Sequence, residues 1–191
     1  MAVSSYVNWK CFVLCGLLIV GAQRVLAQAV VDWVPLTLQE SKQPVVYFPL
    51  PHAVRRDTIQ TPLGEIPVQT FYARDLQGVS GNRLYSLMMY DYPEGSFPPD
   101  SIARIEEFFD ATLQAAVTSV QGELKFVDDL GKRYPSKVFR VDFGEQGNVT
   151  RNHAYLVGDR YYHQQVVSAK SDDGSKSRAR FFDSFQPIHP R

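Results

Sequence analysis

Between Asp100 and Gly122 the apolar residues change period, and that change limits the folds open to the chain. Ile102, Ile105, Phe109, Ala116 and Val120 recur at steps of three, four or multiples near 3.6. Phe108, Leu113 and Val117 widen the stripe, while Arg104, Glu106, Glu107 and Asp110 fall mostly off it. This is the pattern of an amphipathic helix with one buried face. Pro98 and Pro99 suit a helix start, Asp100 is placed to cap it, and Gly122 to end it. Burying its large apolar side chains contributes roughly 1.5–3 kcal/mol each before entropy is counted, so the helix belongs to the core.

The segments around it read as strands. "VVYFPLP" (Val45 to Pro51) is a short buried strand stopped by prolines, and "AVRRDTIQTPLGEIPVQTFYARD" is a hairpin. In its "TPLGE" turn, Pro62 presets φ and Gly64 can take the left-handed conformation, which predicts a three-residue loop with a glycine bulge. Pro67 has no N–H to donate, so the returning strand is expected at a sheet edge there. "NRLYSLMMYDYP" (Asn82 to Pro93) is the next strand. After the helix come "ELKFVDDL", "SKVFRVDFG" and the two halves of "NHAYLVGDRYYHQQVV", then a polar loop and a short helix, "SRARFFDSF", with a face of Phe181, Phe182 and Phe185. The order predicts an α+β fold. A mostly antiparallel sheet of six to eight strands would carry one long central helix and a short C-terminal helix on its faces.

The N-terminus predicts export. One lysine precedes an apolar run from Cys11 to Ala22, and Ala27-Gln28-Ala29 has the small-x-small form of a signal-peptidase site. Such a run is too short to span a bilayer and suits a signal peptide, with an uncleaved signal anchor as the alternative. Residues 1–29 are thus expected to be a signal peptide and 30–191 a single domain, periplasmic or secreted, with no stable membrane span after signal removal. Both cysteines would leave with the signal, which excludes an intramolecular disulfide, a thiol nucleophile and a thiolate zinc site. Lys10 and Arg24 would leave too, with no acidic residue, which tips the balance of 20 basic and 20 acidic side chains slightly negative. Nothing in that balance attracts nucleic acid or anionic lipid.

Two histidines raise the question of a metal site. Gly158-Asp159 is a two-residue hairpin signal, with glycine where a type II′ turn needs it. If Val157 faces Arg160, then His153 faces Gln164 and His163 faces Ala154. Strand alternation then puts His153 with Tyr155, Tyr162 and Gln164, and His163 on the other face with Ala154, Leu156 and Tyr161. They could not chelate one ion. A one-residue slip would reverse this, but it would need Arg160 left-handed, where glycine is preferred. His52 and His189 sit in proline-rich segments without ligand spacing, so no metal is expected.

Other chemistries lack their signatures. Ser80 and Ser175, in "GVSGN" and "DGSKS", have no strand-to-helix elbow and read as loop residues. "GKRYPS" lacks the glycine-rich loop of a phosphate cradle. Asp128-Asp129 and Asp172-Asp173 are adjacent pairs, which read as solvated charge. "YDYPEGSFPPD" (Tyr90 to Asp100) is the best recognition candidate, since Tyr90, Tyr92 and Phe97 on a proline-stiffened loop offer contact area at low entropic cost. The competing reading packs these rings beneath the following helix. Asn148-Val149-Thr150 matches a glycosylation sequon and is read as chance.

"TPLGEIPVQTFYA", "YDYPEG", "AYLVGDRYYHQQVV" and "FFDSFQ", in this order, resemble a group of small exported bacterial proteins of unassigned function. Their fold is similar to that of the PsbP subunit of photosystem II and of a Ran-binding nuclear import factor. The resemblance covers about Trp33 to Ile188. It implies an antiparallel sheet with helices on both faces, and it implies no catalytic residue or cofactor. The expectation is therefore a non-catalytic binding or accessory protein of the cell envelope, with an envelope protein or a small ligand as its partner. A small-ligand or metal carrier using a pocket near His153, Tyr155 and Tyr162 is the alternative. An enzyme using Asp91 or Glu94 comes last.

Overall fold

The computed structural model describes residues 32–188 apart from 39–44, 50, 76–80 and 132. The expected signal peptide, with both cysteines, lies outside the described residues, as do Ser80 and His189. The chain forms β1 (Trp33–Leu36), β2 (Val46–Pro49), β3 (Ala53–Thr61), β4 (Gly64–Arg74) and β5 (Asn82–Asp91), then α1 (Ile102–Ser119). It continues through β6 (Glu123–Asp129), β7 (Ser136–Phe143), β8 (Asn148–Val157) and β9 (Arg160–Ala169) to a short 3-10 turn and α2 (Lys176–Asp183). Seven strands make one antiparallel sheet in the order β3-β4-β5-β9-β8-β7-β6, and β1 and β2 pair apart from it. The architecture is α+β. Among the described residues no helix is long and apolar enough to cross a membrane.

Alternation along the strands divides the core in two. One cluster holds Phe71, Tyr85, Leu87, Tyr155, Tyr162 and Val166 beneath β1, β2 and the phenylalanines of α2. The other holds Phe139, Val141, Ala154, Leu156 and Tyr161 beneath Phe97 and the Ile105, Phe109 and Leu113 side chains of α1. The two helices therefore cover opposite faces. That arrangement explains why β8 and β9 alternate poorly in sequence: both of their faces bury apolar groups.

Several local expectations need correction. The β3–β4 turn has two residues, Pro62 and Leu63, because Thr61 pairs with Gly64 and the register continues unbulged through Ile59 and Ile66. Gly64 does take a positive φ of 107°. The Thr61 hydroxyl closes the turn, accepting from Leu63 N–H at 3.1 Å and donating to Gly64 O at 3.0 Å. At Pro67 the expected edge is found: β5 pairs with β4 only from Val68 onward, so the proline has a strand on one side alone, although β4 lies inside the sheet beyond it.

The ends of α1 also differ from expectation. Ser101, not Asp100, occupies the N-cap, and its side chain makes no capping bond there. The turn from Pro98 to Ser101, closed by a 3.0 Å backbone bond, sets the entry instead. At the other end Gln121 carries the left-handed φ of 50°, and Gly122 N–H reaches back to Val117 O at 3.0 Å. Glycine follows one residue later because a Cβ at 122 would lie 2.5 Å from Val141 Cγ1 and 2.8 Å from Asp142 O. Its role is close approach rather than left-handedness.

Candidate functional site

The β8–β9 reversal fixes where the titratable groups point. Val157 pairs with Arg160, His153 with Gln164 and Ala154 with His163. Gly158 has a φ of 60° while Asp159 is not left-handed, as a type II′ turn requires. The histidines therefore face opposite ways. Among the described residues no group of three or more His, Cys, Asp or Glu side chains converges to hold a metal.

On the α2 side, the His153 ring stacks on Phe182 at 4.0 Å between centroids. The Tyr155 hydroxyl lies 3.5 Å from His153 Nδ1, and both residues line a cleft of about 250 Å³ with Arg133 and Asp183. Burial, with Asp183 adding to it, pushes the Tyr155 hydroxyl up to about 12. Tyr162 is not part of this cleft: it is fully buried, packs against Phe185, and donates its hydroxyl to Ile188 O at 2.8 Å.

The α1 side is more open. Small residues Thr112, Ala115, Ala116 and Ser119 recur at helical spacing along α1 and leave space unfilled between helix and sheet. The space beneath is a cavity of about 400 Å³, floored by Met88, Tyr90, Tyr161, His163 and Gln165 and walled by Ile59 of β3. A second hollow of about 490 Å³ lies between α1 and the Thr61–Leu63 turn, and Tyr92, Thr112 and Ala115 line both. Together they form a groove running between the helix and the β3–β4 hairpin.

The aromatic loop feeds this groove, though not as a free surface. Phe97 is 6% exposed and packs on Phe108 with centroids 4.7 Å apart, while Tyr90 and Tyr92 are half-buried. Phe97 thus behaves as the packing reading holds, and the tyrosines line the hollow. Asp159, chosen by the turn, also organises this loop: its carboxylate accepts from Gly95 N–H and Phe97 N–H, each at 2.9 Å. The six residues singled out in the sequence therefore fall into two sets on opposite faces, and Phe97, Tyr155 and Tyr162 offer almost no surface.

Electrostatics on the floor of the groove are quiet, while Arg104 and Glu107 of α1 line the hollow beside the Thr61–Leu63 turn. Burial raises the hydroxyls of Tyr90 and Tyr161, and burial followed by Tyr90 raises Tyr92 to about 12, so all three rings stay neutral. Burial lowers His163 to about 4, which leaves it neutral as well. Asp91 is ion-paired with Arg160, and Glu94 is exposed on the loop. Sequence reading missed Gln165 and Asn152. The polar pair His163 and Gln165, two apart on a strand, was the available signal, since such residues share a face.

No family model matches the chain, and no curated protein does. It is similar to a solved crystal structure of a protein of unknown function, PA94 from Pseudomonas aeruginosa, described as a putative regulator. Identity is 10%, the TM-score is 0.41, and the match covers 84% of this chain and 98% of that one. A superposition so loose carries no argument about fold family or function.

Proposed function

We propose that the chain is an exported, non-catalytic binding protein that receives its ligand or partner in the groove between α1 and the β3–β4 hairpin. The observation that carries this reading is the groove itself, an apolar hollow whose floor tyrosines and histidine are all held uncharged. Such a lining favours burial of a neutral or apolar surface over acid–base or nucleophilic work. The apolar run at Cys11 to Ala22 supports export. Helices on opposite faces of one antiparallel sheet support kinship with the PsbP-like proteins.

A photo-crosslinking residue placed at Leu63, on the groove rim, tests the reading. It should capture one defined envelope component, while the same residue at Tyr47, on the small β1–β2 sheet, should not. Panels of ester, phosphate, glycoside and peptide substrates should show no turnover. Turnover abolished by a single substitution, or equal capture at both positions, would overturn it.

A further inference from the structure

The cavity beneath α1 has a polar floor whose hydrogen-bonding sense is fixed from outside it. Asn152, fully buried on β8, donates its amide nitrogen to Thr150 Oγ1 at 2.7 Å and faces Phe139 O at 3.5 Å. Its Oδ1 must therefore face the other way, and there it lies 3.0 Å from His163 Nε2 and 3.3 Å from Gln165 Nε2. An amide oxygen only accepts, so both nitrogens must donate to it. The imidazole is thereby held in the tautomer with its proton on Nε2, and Nδ1 is left as a bare acceptor. Gln165 gives one amide hydrogen to Asn152 and keeps its second hydrogen and its oxygen, so it can meet either sense of bond.

His163 is 8% exposed, it lines the cavity, and its Nδ1 has no partner among the described residues. The atom is not one of the enclosed polar atoms without a partner, so it opens to the cavity, where a ligand donor can take the place of water. The neighbouring hydroxyls point elsewhere. The Tyr90 hydroxyl points to Met88 Sδ at 3.5 Å, and Thr112 donates to Phe109 O at 2.9 Å. The lining of this cavity contains no carboxylate, lysine or arginine, so a charged ligand would lose hydration without gaining a counter-charge. The walls are apolar and aromatic, supplied by Ile59, Met88, Ala115 and Ala116 beside the tyrosines.

We infer that this cavity binds a neutral, ring-sized apolar molecule that donates a hydroxyl hydrogen bond to His163 Nδ1, phenols and compact alcohols being the class that fits. This deepens the binding-protein reading and rests on it. The acceptor at Nδ1 selects for a donor, and the aromatic walls select for the body that carries it. An ether of the same shape brings a second acceptor against the first and is rejected for that reason.

The probes are p-cresol and its methyl ether, 4-methylanisole, which differ in the one donor hydrogen. Titration of the purified protein should give saturable binding of p-cresol, with the ether at least tenfold weaker. The imidazole ¹⁵Nδ1 resonance of His163 should move with p-cresol and not with the ether, a readout that needs no variant. His163→Phe keeps an aromatic ring at this position and removes Nδ1, so it should bring p-cresol down to the level of the ether. Ala116→Leu should fill the cavity and abolish both. Equal affinity for the two probes, no saturable binding of p-cresol, or discrimination kept in His163→Phe would each overturn the inference. Capture at Leu63 with failed probes would leave the binding reading standing without this ligand class. Substrate turnover with the probe pattern intact would remove the non-catalytic reading and leave the site.

Discussion

Acid should destabilise this protein through one buried imidazole before its carboxylates begin to matter. His163 sits among Asn152, Phe139 and Tyr161, which carry no charge, and burial lowers it to about 4 from an ordinary 6.5. In the unfolded chain the same ring binds its proton near 6.5. Between those two values the unfolded state holds one more proton than the native state, so stability falls as pH falls through that window. Above the window the ring is neutral in both states and nothing is lost. At about 1.36 kcal/mol per unit, the full span costs about 3 kcal/mol, of which about 2 is spent by pH 5. Asp142 and Asp173 are both held below the ordinary carboxylate range. For Asp142 the Arg140 hydrogen bond dominates; for Asp173 burial works upward, but Arg151, Arg178 and Arg140 outweigh it. Their contribution is lost only below about 4, so the two effects separate on the pH axis. The assay is urea denaturation of the protein and of His163→Gln at pH 7.5, 6.5, 5.5 and 4.5. The variant should be weaker at pH 7.5 by about 1 kcal/mol for its lost ring packing, and the gap should close or invert on acidification. Two curves running parallel from pH 7.5 to 4.5 would refute the claim that the native ring resists protonation.

Other substitutions test other joints of the fold. Gly122→Ala should destabilise by about 2 kcal/mol or more in urea denaturation, because its methyl would meet Val141 and the Asp142 carbonyl. Gln121→Gly should stabilise by about 1 kcal/mol in the same assay, since it relieves a left-handed residue at the end of α1. Asp159→Ala removes the acceptor of two backbone N–H groups and should cost about 2 kcal/mol, with hydrogen exchange at Gly95 and Phe97 accelerating. Asp173→Asn leaves Arg140, Arg151 and Arg178 around a neutral group. Its side chain is 5% exposed, so a loss of about 3 kcal/mol in thermal or urea unfolding is expected.

Much of the architecture could be read along the chain because it depends on local rules. The 3.6-residue spacing over Ile102 to Val120 specified α1, since a helix buries whatever recurs on its face. Gly158-Asp159 specified the β8–β9 register, because a two-residue turn leaves no freedom in which residues oppose each other. From that register alone His153 and His163 part to opposite faces. The turn at Pro62 was legible in place but not in length: the Thr61 hydroxyl, a side-chain contact, selected the tighter loop.

Tertiary packing decided the rest. Whether Tyr90, Tyr92 and Phe97 form a surface depended on where α1 lies, and Phe97 went beneath it while the tyrosines became the lining of a hollow. The unmatched nitrogen of His163 depended on Asn152 and Gln165, brought beside it by pairing between strands and pinned by a carbonyl of a third. The sequence by itself determined both helices and every strand but β1, the main hairpin register and the side of the sheet for each histidine, because those follow from period and turn chemistry within a few residues. Only the tertiary structure decided which buried polar atoms remain without partners and where a cavity opens, because both depend on groups far apart in the chain meeting at distances no local pattern encodes.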